Sequence, residues 1–160
     1  MPGLDSHALI TFVNRWVHVA SMAVIFGGSF LMWAAARRYR SGEEYLSGSK
    51  GLLWLSTQYE WFFWGGLGLL ALTGVGNIGN FGASLPGTNS AWGSRLLAKL
   101  IVGLVLALFS SVRTWVIAWL NRREEDLAIS RTASLIQNLY AGTTLVIIAI
   151  LVLAVSLSHG

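Results

Sequence analysis

Four apolar runs, each long enough for a helix to cross a bilayer, take up most of the chain: roughly residues 16–36, 61–80, 96–120 and 135–157. About 20 residues of helix span the hydrocarbon core. In lipid the backbone must satisfy its own hydrogen bonds, so helix is the conformation open to runs of this kind. The expectation is an all-α integral membrane four-helix bundle, a single four-span domain over residues 1–160. Composition agrees, because 54% hydrophobic and 11% charged residues leave no room for a separate soluble domain. The first run is too long for a signal peptide, so it reads as a retained span.

Orientation follows from the basic residues, which favour cytoplasmic loops. Arg37, Arg38, Arg40 and Lys50 lie between the first two runs, and Arg122, Arg123 and Arg131 between the last two. The segment from Phe81 to Ser94 carries no charge. Both termini are therefore expected on the outer side of a cell membrane, in the manner of a multi-pass bacterial inner-membrane protein. The net charge of +4 is then mostly this asymmetry plus attraction to anionic lipid. It does not point to nucleic acid, since basic and aromatic residues do not interleave as single-strand binding requires. The chain has no cysteine, which removes disulfides, thiolate metal sites and cysteine nucleophiles.

Small residues supply helix contacts where lipid offers little hydrophobic drive. Ala20, Gly27 and Ala34 recur in the first run beside Ser21, Gly28 and Ala35, and Gly103, Ala107 and Ser111 recur in the third. Both sets read as contact faces.

Ionisable residues at membrane depth cost energy unless paired, snorkelled or solvated. Arg15, His18 and Lys99 fall toward the outer side, Glu60 at the mouth of the second span, and Arg113 about two turns from the inner end of the third. An ion pair between Glu60 and Arg113 is within geometric reach. The alternative is a snorkelling Arg113 and an interfacial Glu60.

His18 shares a helical face with Met22, Ile25, Ser29 and Met32. An imidazole and a thioether one turn apart are the soft donors that reduced copper prefers, which makes His18 and Met22 a candidate metal pair. The plainer alternative is a hydrogen-bonding histidine near an interface with methionines as apolar filler.

HVASMAVIFGG, with His18 ahead of Gly27 and Gly28, resembles the first helix of CopD-type copper-resistance membrane domains. LTG at Leu72–Gly74 and WGSRLLAKL at Trp92–Leu100 are similar to that domain's second helix and third-helix entry. The placement of His18 and Lys99 is also similar to HemJ-type membrane proteins. The resemblance covers about Arg15 to Leu120, while the fourth run is generic. It implies a four-helix core that moves copper or, in the HemJ branch, holds a b-type haem. The tryptophan usual before the glycine pair is Ile25 here.

A six-coordinate haem needs ligands on opposite faces of the ring, and the only other histidines, His7 and His159, lie in terminal tails on this reading. Arg15, Arg95 and Lys99 would suit haem propionates, and the same cations oppose accumulation of copper ions. A third class is an accessory subunit that fills a seam in a respiratory or photosynthetic complex or holds a lipid or pigment, or a homo-oligomer, with eight tryptophans and the uncharged loop suited to protein or lipid contacts. Conventional catalysis lacks support: there is no Gly-x-Ser-x-Gly and no phosphate loop. The acidic run Glu124–Asp126 follows Arg122 and Arg123 and reads as a solvated helical extension.

Overall fold

The computed structural model describes residues 6–40, 48–79, 91–123 and 129–158. They form four helices: α1 (Ser6–Arg40), α2 (Gly48–Gly79), α3 (Ala91–Arg122) and α4 (Ile129–Ser158). The uncharged segment 81–90, the Glu124–Asp126 run, the RSGEEY stretch from Ser41 onward, His159 and the side chain of His7 lie outside the described residues.

Three helices hold stretches long and apolar enough to cross a membrane: Ala8–Arg40 in α1, Gly93–Arg122 in α3 and Arg131–Val155 in α4. α2 has comparable length, but its first half mixes Lys50, Thr57, Gln58 and Glu60 with its apolar residues. All four helices outrun the apolar segments, because a helix does not have to stop where the hydrocarbon does. Two site residues move as a result. His7, expected in a tail, falls in the first turn of α1. Glu60, expected at the mouth of a span, comes twelve residues after Gly48, about 18 Å along the helix at 1.5 Å per residue.

Buried positions recur at steps of three and four. They are Ser21, Ile25, Ser29, Met32 and Ala36 in α1; Leu52, Ser56, Tyr59 and Phe63 in α2; Leu106, Ser110, Arg113, Ile117 and Leu120 in α3; and Ala133, Ile136, Tyr140, Thr143, Ile147 and Ile150 in α4. A repeat of 3.5 residues keeps one stripe of each helix facing its neighbours, the rule of coiled-coil-like bundles. α1 packs closely on α2 and α4, and α3 chiefly on α4, which leaves α2–α3 the loosest of the four side-by-side seams.

The inward stripes are rich in serine and threonine and hold Glu60 and Arg113, while the outward faces are apolar. Trp61, Leu72, Val75, Trp115 and Leu31 are each at least 67% exposed. An apolar exterior of this extent is a liability in water and is what a lipid-facing surface requires.

The small-residue rows sort differently from the sequence expectation. In α1 the row with Ser21 and Gly28 turns inward, and a Cβ on Gly28 would overlap the ring of Tyr59. Gly27 of the other row faces open space. In α3 Gly103 likewise meets nothing and Ser111 is exposed. The buried residue is its neighbour Ser110, because the 3.5-residue stripe and a small-xxx-small row drift apart along the helix.

Candidate functional site

Two polar assemblies sit inside the bundle. The first joins α2, α3 and α4. Arg113 is wholly buried and Glu60 is 5% exposed. The guanidinium grips the carboxylate with both arms, Nε donating to Oε1 at 2.8 Å and Nη2 to Oε2 at 3.1 Å. Tyr140 donates its hydroxyl to Oε1 at 2.9 Å, and Thr114 donates to Oε2 at 2.5 Å. Each carboxylate oxygen thus accepts two hydrogen bonds, which fills its capacity.

Arg113 Nη1 donates to Thr143 Oγ1 at 2.7 Å, and Trp64 Nε1 donates to Thr114 Oγ1 at 2.9 Å. The rings of Phe63 and Tyr140 lie 4.1 and 4.8 Å from the guanidinium carbon, close enough for cation–π attraction. Nearby, Tyr59 donates to the Ile25 carbonyl at 2.6 Å. Its single proton is thereby used, so Ser29 donates to Tyr59 in their 2.9 Å contact. A charge pair so fully satisfied offers no free group for chemistry. It is a clamp that ties α2 to α3 and α4.

The second assembly lies toward the other end of the bundle, between α1 and α2. His18 Nδ1 is 2.8 Å from Thr73 Oγ1. Thr73 Oγ1 itself lies 2.6 Å from the Leu69 carbonyl, to which it donates. A hydroxyl has one proton, so the imidazole must supply the proton in the His18–Thr73 bond. Neutral His18 is therefore protonated at Nδ1, and Nε2 carries a lone pair. Asn14 braces the same turn by donating from Nδ2 to the Thr73 carbonyl at 3.1 Å.

Of the other residues singled out from the sequence, Met22 is half-buried and packs against the core one turn from His18. Lys99 on α3 is half-buried and close enough to act on His18 electrostatically. Arg15 is exposed on α1. Among the described residues no three histidine or carboxylate side chains converge on a point.

Sequence reasoning found Glu60, Arg113 and His18 but missed their partners. Tyr140 and Thr143 sit in the run that looked generic, and Thr73 and Asn14 are common polar residues in apolar surroundings. The available signal was spacing: Tyr140 and Thr143 fall on the stripe that also carries Ile136 and Ile147. Compared with known families, curated proteins and solved structures, the chain matches no family and shows no significant match to a curated protein or a solved structure.

Proposed function

We propose that the chain is a four-span protein of the cell membrane, with both termini on the outer side, that handles copper in the manner of the CopD-type domains it resembles. Support for α2 as the fourth span comes from its outward face, where Trp61, Phe62, Leu72 and Val75 are each at least 66% exposed. The seven basic residues of the two inner connections orient it.

The observation that carries the copper reading is the Nδ1 proton of His18 committed to Thr73, which leaves Nε2 as a donor. Metal-ligating histidines commonly donate their other ring nitrogen in this way, fixing tautomer and ring orientation. Met22, one turn deeper on the same helix, supplies a thioether of the kind that favours reduced copper. Copper is cargo on this reading, and further ligands come from the ion's other donors in transit.

The b-type haem of the HemJ branch has one observation in its favour: the cationic Lys99 within electrostatic range of His18 suits a propionate. Against a six-coordinate haem, α2, α3 and α4 contain no histidine, so an opposing ligand would have to come from a tail, a non-histidine group or another subunit.

Absorption spectroscopy and elemental analysis of protein purified from copper-supplemented cells separate these readings. The expected result is bound copper without a Soret band, lost in His18→Ala and weakened in Met22→Leu, with both variants still folded. A Soret band lost in His18→Ala favours haem instead. Normal copper content and spectrum in His18→Ala sink both and leave an accessory-subunit role. Topology is tested with cysteines introduced at Ser49, Ser84 and Ser130. An impermeant thiol reagent should label only the one at 84 in intact cells, and the reverse pattern overturns the orientation.

A further inference from the structure

A cleft of about 410 Å³ opens between α2 and α3, the loosest of the side-by-side seams. Thr57, Trp61 and Trp64 line one wall, and Thr114, Ile117 and Ala118 the other, with Glu60 at the deep end and Asn121 and Arg122 at the mouth. From Thr114 to Arg122 it runs about 12 Å along α3.

The polar groups in the walls are already engaged. Thr57 donates to the Leu53 carbonyl at 2.9 Å, Trp64 donates to Thr114, Thr114 donates to Glu60, and both Glu60 oxygens are filled. A polar guest entering the cleft would lose water contacts and find no donor in exchange. An apolar chain loses nothing. The mouth differs, because the Asn121 and Arg122 side chains are exposed there at the last turn of α3. An amide and a guanidinium at that level are donors suited to a phosphate. Around the mouth the outer surface is apolar, with Trp61 77% and Trp115 69% exposed.

We propose that this cleft holds one anionic phospholipid of the inner leaflet, with an acyl chain between Trp61, Trp64 and Ile117 and its phosphate on Arg122. The lipid fills the α2–α3 seam below the Glu60–Arg113 clamp and keeps water from the charge pair. This inference rests on the membrane reading and on the inner placement of Arg122. It is independent of copper.

The test uses the full chain reconstituted in vesicles of equal parts phosphatidylglycerol and phosphatidylcholine, then released for native mass spectrometry. One retained phospholipid per chain is expected, enriched in phosphatidylglycerol. Ala118→Trp fills the cleft from an exposed position and should abolish retention while leaving the helical spectrum unchanged. Arg122→Gln should reduce the preference for phosphatidylglycerol roughly fivefold, the effect of one basic residue near an anionic surface. Retention and preference unchanged in both variants overturn the inference while the membrane reading stands. Wild type that fails to float with the vesicles overturns the membrane reading and this inference together.

Discussion

Both halves of the bundle place an ionisable side chain among apolar helices, and they meet the cost in opposite ways. At Glu60 and Arg113 the charges are saturated: four hydrogen bonds reach the carboxylate, and two aromatic rings lie against the guanidinium. At His18 the group is a half-buried imidazole with one nitrogen bonded to Thr73. Desolvating charge is expensive enough that only a complete set of partners tolerates it, whereas a neutral imidazole survives with one nitrogen uncommitted. The saturated pair is architecture, and the uncommitted imidazole nitrogen is the group on which the proposed copper reading rests.

The largest expected effect comes from breaking the saturated half. Arg113→Gln strands a carboxylate, and Glu60→Gln strands a guanidinium, each costing about 3–5 kcal/mol of stability. Replacing both with apolar residues of similar volume, Glu60→Leu with Arg113→Met, removes the stranded charge and should restore much of that loss. Thermal unfolding in detergent reads all three. Strict additivity of the two single changes in the double variant Glu60→Gln with Arg113→Gln would mean that the groups act independently, against an expected coupling of about 0.5–3 kcal/mol. Copper content should not change in any of them.

Much of this architecture is legible in the sequence, for reasons that differ by residue. Helix count follows from the apolar runs, because lipid leaves the backbone no other way to satisfy itself. The Glu60–Arg113 pair follows from charge at depth on consecutive helices. The helix ends are less legible. α2 starts well before the apolar run because Leu52, Ser56 and Tyr59 continue the inward stripe, and a hydropathy threshold does not register a stripe. Partner hydroxyls are hidden for a related reason: Thr73 and Thr143 each return a hydrogen bond to their own helix backbone, so nothing in their local pattern distinguishes a partner from a filler.

A smaller effect separates two adjacent glycines in the helix that links the halves. A Cβ on Gly28 would overlap Tyr59, whose ring is tethered by its bond to the Ile25 carbonyl. Gly28→Ala should therefore cost about 1–3 kcal/mol, as overpacking does. Gly27 meets nothing within 4 Å, so Gly27→Ala should be neutral or slightly stabilising through helix propensity. Equal stability of the two variants would show that Tyr59 is free to move and that the α1–α2 contact is loose.

The smallest change in stability should give the clearest functional split. Thr73→Val keeps the volume but removes the acceptor for His18 Nδ1, at a cost of about 0.5–1.5 kcal/mol for one neutral hydrogen bond. On the proposed copper reading its effect on binding should be larger, because an imidazole released from Thr73 loses both tautomer and orientation, and lost partners of this kind lower metal affinity about 10–100-fold. Thr73→Ser restores the hydroxyl and should recover the binding. The matching change in the other half is Thr114→Val, which removes a donor to a charged carboxylate and should cost more stability, about 1.5–3 kcal/mol, with copper affinity unchanged. Measuring both variants for melting temperature and copper affinity crosses the two regions against the two properties. If Thr73→Val melts lower but binds copper normally, Thr73 is a packing residue and His18 Nε2 is not held for a ligand. If Thr114→Val weakens copper as well, the halves are coupled through α2, and the division between clamp and site fails.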